Sequence, residues 1–189
     1  MKHTIPAVIF AGGKSSRMGQ DKALLPFAGY NTLSEFQYNR LTSLFEEVYI
    51  SSKENKFDFD ATVITDRYEE SSPLVGIISL FETLDADALF ILSVDAPFVD
   101  EKVIEVLLKH ADKKFDAIVA QSPRGVQPLC GIYRRSILPL AQENRIKENH
   151  RLNDLLTKAH TQFIRFNDDT PFTNLNHPHE YESALESLT

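Results

Sequence analysis

The sequence predicts an α/β protein built on a mostly parallel sheet with helices on both faces. Three observations predict it. Residues 7–11 and 88–92 are short, unbroken apolar runs, the pattern of strands buried on both sides rather than on one. Strand candidates alternate with helical stretches along the chain. No repeat, low-complexity segment or long linker interrupts that alternation.

The elements follow in order. Residues 7–11 are β-rich and bounded by Pro6 and Gly12, so they read as the first strand. Residues 32–45 carry Leu33, Phe36, Leu41, Leu44 and Phe45 at near-helical spacing, and Thr32-Leu33-Ser34-Glu35 opens them as a capping box. Residues 48–50 and 62–64 are short strands. An amphipathic helix is expected over 74–84, after Pro73. Residues 88–92 form a second buried strand, and Asp100 caps a helix through Val103, Ile104, Leu107 and Leu108. Strands at 117–119 and 131–133 are expected to be separated by a loop holding Pro123, Gly125 and Pro128. Helices follow at 136–142 and 152–159, then a strand at 163–166 and a last helix at 180–188 after Pro178.

Length and composition narrow the classes. The chain has 189 residues, enough for a core without disulfide staples and typical of one domain. Its 20 basic and 27 acidic residues leave a net charge of −7, which argues against nucleic-acid binding. The single cysteine, Cys130, excludes an internal disulfide or multi-cysteine metal site. It fits a reducing compartment. No apolar run approaches the roughly 18 residues of a membrane helix. The basic start at Lys2 and His3 leads into an apolar stretch that Gly12-Gly13-Lys14 ends too soon for a signal peptide. A cytoplasmic protein, away from membranes, is expected.

Ligands of such sheets bind beyond the carboxyl ends of the strands. There the first strand runs into Gly12-Gly13-Lys14-Ser15-Ser16-Arg17-Met18-Gly19-Gln20-Asp21-Lys22. Glycines let backbone N–H groups approach a phosphate, and Lys14, Arg17 and Lys22 add cations to an acidic protein. The loop describes a polyphosphate pocket; a basic surface loop is the plainer alternative. It is not a Walker A loop, because position 8 is Val8, nor a dinucleotide fingerprint, because position 14 is Lys14.

Ala11-Gly12-Gly13-x-Ser15-x-Arg17-Met18-Gly19-x-Asp21-Lys22 resembles the signature of the molybdenum cofactor guanylyltransferases. Three further motifs resemble theirs in the same order. They are Ser93-Val94-Asp95-Ala96-Pro97-Phe98, the segment Gln127-Pro128-Leu129-Cys130-Gly131-Ile132-Tyr133, and Phe172-x-Asn174-x-Asn176-x-Pro178-x-Glu180. The resemblance implies a Rossmann-like, three-layer α/β/α nucleotidyltransferase fold. It implies one domain over 1–189, with the GTP site in the N-terminal half and the molybdopterin site in the C-terminal half. The implied reaction transfers GMP from GTP to the terminal phosphate of the pterin and releases pyrophosphate.

The resemblance assigns Mg²⁺ to Asp95, which ends a buried strand; a turn or cap role is the alternative. Arg17 would grip the departing phosphates and Lys22 would stand near the α-phosphate. Arg17, Lys22 and Asp95 are the expected catalytic residues. Phe10, Ala11, Gly12, Gly13, Lys22, Ser52, Asp66, Gly76 and Asp95 are the expected nucleotide contacts, with Pro73-Leu74-Val75-Gly76 lining the base pocket. Ser52 departs from the asparagine that relatives often carry, and a hydroxyl replaces only part of an amide's bonding. Asn174 and Asn176 would bind the molybdopterin, although Asn176 or His177 could simply cap the last helix.

His177 replaces the usual threonine; with His179 it reads as one of two surface histidines rather than as a metal ligand. Cys130, between apolar neighbours, reads as a packed residue. Arg124, Arg145, Lys147, His150 and Arg151 form a second basic region, suited to an anionic acceptor, a partner protein or a solvated face.

A molybdopterin cytidylyltransferase is the nearest rival. Ala11-Gly12-Gly13 and Asp21-Lys22 favour guanine over it. A sugar or alcohol phosphate nucleotidyltransferase is another rival, and the asparagine motif fits it poorly. A GTP-binding accessory protein without turnover is the alternative from another class. Expected partners are GTP, molybdopterin, and proteins that make or accept the molybdenum cofactor.

Overall fold

The computed structural model describes residues 1–12 and 20–186. Among these residues seven strands make one sheet: β1 (Ala7–Phe10), β2 (Val48–Ser52), β3 (Thr62–Thr65), β4 (Ala88–Ser93), β5 (Ala117–Ser122), β6 (Gly125–Arg134) and β7 (Thr161–Arg165). Their order is β3-β2-β1-β4-β6-β5-β7. All neighbouring pairs are parallel except those of β6, which runs antiparallel to both β4 and β5. Among the described residues the α-helices are α1 (Leu33–Leu44), α2 (Pro73–Thr83), α3 (Glu101–Lys109), α4 (Leu138–Ile146), α5 (Leu152–Lys158) and α6 (Pro178–Glu186).

The unbroken apolar runs have their explanation in two cores. Ala7 and Ile9 of β1 and Phe90 and Leu92 of β4 face one core, with residues of α1, α3 and α6. Val8, Phe10, Leu89 and Ile91 face the other, with residues of α2, α4 and α5. Strand side chains alternate between faces, so a strand covered twice must be apolar at every position. The result is three layers, helix on sheet on helix. Fully burying each Val, Leu, Ile or Phe contributes about 1.5–3 kcal/mol, against roughly 0–1 for an exposed ion pair. The central strands, not the surface charges, hold the layers together.

Local chemistry sets the helix starts. Thr32 Oγ1 accepts from the Glu35 N–H at 3.0 Å. The Glu35 carboxylate reaches back one residue further than a regular capping box, to the Asn31 N–H at 3.1 Å. Ser72 Oγ accepts from Val75 N–H at 3.2 Å, with Pro73 in the first turn. Asp100 caps α3 through Val103 N–H at 3.0 Å.

Three expectations need correction. Helix α2 is not amphipathic: every residue from 74 to 81 is buried, because the helix lies against the sheet and under α4. The expected loop around Pro123, Gly125 and Pro128 is a hairpin, and β6 starts at Gly125 rather than at 131. Gly125 turns the chain at φ +132, and Pro128 lies in a bulge. Val119 pairs with Gly131 and Ala120 with Gln127, so residues 128–130 have no partner on β5 and the missing proline N–H costs nothing there. The last helix begins at Pro178, ahead of the expected 180.

Gly131 explains how β6 resumes pairing after the bulge. A Cβ there would stand 2.4 Å from the Ile118 carbonyl oxygen and 2.9 Å from Val119 Cα. Among the described residues no helix is long and apolar enough to cross a membrane.

Candidate active site

Two cavities open beside the carboxyl ends of β1, β2 and β4. The first, about 520 Å³, is lined by Phe10 and Gly12 after β1, by Ser51, Ser52 and Lys53 at the end of β2, and by Asp66 after β3. The start of α2 closes it through Ser72, Pro73 and Gly76. The second, about 620 Å³, is lined by Asp95 and Ala96 after β4, by the β6 bulge, by residues 150–154 and by Phe172 and Asn174. Pro73, Ser93 and Leu129 belong to both, so these three form the shared wall.

Charged groups converge beside that wall. Lys22 Nζ lies 2.5 Å from Asp95 Oδ2 and donates to Asn176 Oδ1 at 3.1 Å. Ser93 Oγ donates to the other Asp95 oxygen at 2.6 Å. Lysine, aspartate and asparagine come from three places 154 positions apart at most, and only the fold joins them. Asp95 caps no helix; its side chain is turned to these partners.

The backbone around Asp95 is fixed from several sides. Leu175 N–H donates to the Asp95 carbonyl at 2.9 Å, seating the asparagine segment beside the aspartate. Gln37 Nε2 donates to the Ser93 and Val94 carbonyls at 3.4 and 3.3 Å. Arg40 donates to the Pro97 and Val99 carbonyls at 3.0 and 2.6 Å. Burial lowers the Arg40 guanidinium to about 10, which leaves it cationic at neutral pH. Sequence reasoning misses Gln37 and Arg40. Both are polar positions within the α1 pattern, and nothing local marks them as holding another element.

Asn174 lines the second cavity, whereas Asn176 points to Lys22. The expected cap of the last helix is present, but the Glu180 side chain makes it rather than that of Asn176 or His177. Glu180 Oε2 accepts from the Asn176 and His177 N–H groups at 2.7 and 2.8 Å, which caps α6 and fixes both residues. Burial raises the Glu180 carboxyl, but those two N–H bonds and the neighbouring histidines outweigh it, and the net shift is downward.

Asp66 is half-buried in the first cavity; desolvation raises its carboxyl, partly offset by Lys53. Ser52 is buried in the wall of the same cavity. Ala11 is buried too, and its N–H donates to the Ser51 carbonyl at 2.9 Å. Gly76 is needed for contact: a Cβ there would meet Phe10 Cε1 at 2.7 Å. Gly13 and Arg17 lie outside the described residues.

The other groups divide. Cys130 is buried and its thiol is pushed up to about 12 by desolvation, so it is a packed neutral residue. The rings of His177 and His179 stack at 5.5 Å, and among the described residues no group of three or more His, Cys, Asp or Glu could enclose a metal. Three cations of the second basic region are matched by carboxylates. Arg145 pairs with Glu70 at 3.0 Å, Arg124 with Asp169 at 3.7 Å, and Lys147 with Glu143. Only His150 and Arg151 of that set line the second cavity.

A metal at Asp95 would have one protein carboxylate, flanked by the Ser93 hydroxyl. That donor set suits Mg²⁺, which keeps several waters and shares one or two carboxylates with substrate phosphates. It does not suit a metal enclosed by protein ligands.

The sequence matches the family model of the MobA-like NTP transferase domain over residues 7–163. It is 36% identical to the molybdenum cofactor guanylyltransferase of Campylobacter jejuni over 183 residues, 96% of this chain and 95% of that one. The enzyme of the same name from Helicobacter pylori is 35% identical over 190 residues, 97% and 93% of the two chains. Among solved structures, molybdopterin-guanine dinucleotide biosynthesis protein A from Archaeoglobus fulgidus superposes with a TM-score of 0.84. That match covers 97% of this chain and 98% of the other, and at 18% identity it speaks for the fold. The fold, the order of the motifs and these relatives agree: the chain belongs to the MobA-like NTP transferase family, with relatives that are molybdenum cofactor guanylyltransferases.

Proposed function

We propose that this protein is a nucleotidyltransferase that moves GMP from GTP to the terminal phosphate of molybdopterin and releases pyrophosphate. The observation that carries the reading is the pair of adjoining cavities, with Asp95 and Lys22 beside their shared wall. A transferase of this kind needs two substrates side by side and charge compensation where they meet. A protein that only binds GTP needs one pocket.

In this reading the first cavity holds the nucleotide and the second the pterin, both within one domain. The acceptor phosphate oxygen forms a bond to the α-phosphorus, and the bond to the bridging oxygen of pyrophosphate breaks. Little covalent work falls to the protein; positioning and neutralisation carry the rate. Lys22 supplies a cation beside the reacting centre, and Arg17 would grip the departing phosphates. Asn176 holds the Lys22 ammonium in place. Asp95, with Ser93 fixing its other oxygen, would hold Mg²⁺. Bound there, the ion would neutralise phosphate charge and polarise the α-phosphate. Asp66 and Ser52 contact the nucleotide, and Asn174 the pterin.

Calorimetric titration with GTP, CTP and ATP, each with and without Mg²⁺, tests the assignment. GTP is expected to bind well ahead of CTP. A preference for CTP would move the protein to the cytidylyltransferases, and binding of none of the three would overturn the nucleotide assignment.

A further inference from the structure

Lys56 belongs to none of the sequence motifs and lies in the connection between β2 and β3. Its ammonium nevertheless touches residues on both flanks of the glycine-rich loop. It donates to the Ala11 carbonyl at 3.2 Å and pairs with Asp21 Oδ2. The other Asp21 oxygen accepts from Ala23 N–H at 3.1 Å and caps the single helical turn Lys22–Leu24. The two Asp21 oxygens therefore act separately. One shapes the turn that carries Lys22, and the other is matched by Lys56. The Lys56 side chain is 18% exposed and that of Asp21 33%, so the pair is partly shielded from bulk water.

We infer that Lys56 is a positioning residue of the nucleotide site; the inference rests on the nucleotide reading above. It ties Ala11 to Asp21 across the loop, and so sets the turn from which Lys22 reaches Asp95. It also cancels the charge of Asp21. Asp21 lines neither cavity, but it is next in the chain to Lys22, which reaches Asp95 on the cavity wall, and a carboxylate that near a bound triphosphate repels it unless a cation is fixed on it. Asp21 is thus useful for its shape and harmful for its charge, and Lys56 removes the harm.

That division of roles gives a test with a defined sign. Lys56→Met keeps most of the apolar stem and removes the ammonium, leaving Asp21 unmatched. Its affinity for GTP with Mg²⁺, read by calorimetry, is expected to fall about fivefold or more. Adding Asp21→Asn to Lys56→Met is expected to recover at least about threefold of that loss. A smaller fall in the single variant, or a double variant no tighter than the single, overturns the inference. Two merely structural losses would accumulate rather than compensate.

A measurement without nucleotide separates this inference from the proposed function. The Leu24 and Leu25 N–H groups donate to the Asp21 and Lys22 carbonyls at 3.0 and 3.2 Å. Their hydrogen exchange is expected to quicken in ligand-free Lys56→Met while the exchange of the β4 amides stays slow. Unchanged exchange at Leu24 and Leu25 overturns the role of Lys56, whatever the protein binds.

Discussion

The two cavities share a wall but are built by different means. The first is made where three adjacent parallel strands end, with the start of α2 laid across them. Its lining is set by strand register and one helix cap. The second gathers a bulge in the antiparallel strand β6, the start of α5 and a segment near residue 174. Regular structure fixes the first pocket; long-range contacts and an irregularity fix the second. One can be remodelled only at the cost of the sheet, whereas the other can vary at segments that the sheet merely supports.

The largest expected effect falls where the two regions meet. Asp95→Ala is expected to lower GMP transfer by about 10²–10³-fold while GTP binding changes far less, read by steady-state rates beside calorimetry. Equal losses in both would return the protein to the class of GTP binders, and unchanged turnover would remove Asp95 from the mechanism.

The two glycines separate the regions next. Gly131→Ala drives a Cβ into the Ile118 backbone, which has no freedom to yield. A loss of about 3 kcal/mol is expected in denaturant unfolding. Gly76→Ala meets the edge of the Phe10 ring, the far end of a side chain, which can turn toward the first cavity. Its expected signature is about tenfold weaker nucleotide binding, with less than about 1.5 kcal/mol of stability lost. If the two variants exchanged signatures, the contrast between a packed bulge and a yielding pocket wall would fail.

Glu180→Gln sharpens the second region. The glutamine gives up two charge-assisted bonds to the Asn176 and His177 N–H groups, for an expected loss of about 1 kcal/mol at neutral pH. The Glu180 carboxyl is lowered in the fold, so its contribution is present above its unfolded pKa and disappears as pH falls through the folded value. Unfolding curves of the two proteins should therefore converge in acid. A constant gap across pH would mean that the charge of Glu180 plays no part.

The smallest effect has the opposite sign. Burial raises Asp66, so the ionised carboxylate opposes folding above its folded pKa, and the penalty vanishes below the unfolded value. Asp66→Asn is expected to raise Tm slightly at neutral pH, to lose that advantage in acid, and to weaken nucleotide binding. A stabilised variant with unaltered affinity would leave Asp66 without a role in the first cavity.

Particular residues show how much is legible in the chain. The runs at 7–11 and 88–92 locate the two central strands because a strand covered on both faces has no polar positions. Thr32, Ser72 and Asp100 act within three residues of themselves, so the helix starts are legible as well. Pro128 misleads, since a proline reads as a break unless a bulge receives it. The uniform burial of α2 is legible too, because residues 74–81 are apolar on nearly every side and a helix of that kind is covered all round; the amphipathic expectation overlooks this.

The sequence by itself determined the layered α/β fold, the family, and the residues brought to the strand ends, because these follow from local periodicity, short-range caps and contiguous motifs. Only the tertiary structure decided which charges meet. Lys22 with Asp95 and Asn176, Lys56 with Asp21, and Arg40 with the carbonyls after Asp95 each join segments 35 or more positions apart. Pairings at that range leave no period and no spacing in the chain. They exist only once hydrophobic burial has stacked the layers and brought their ends together.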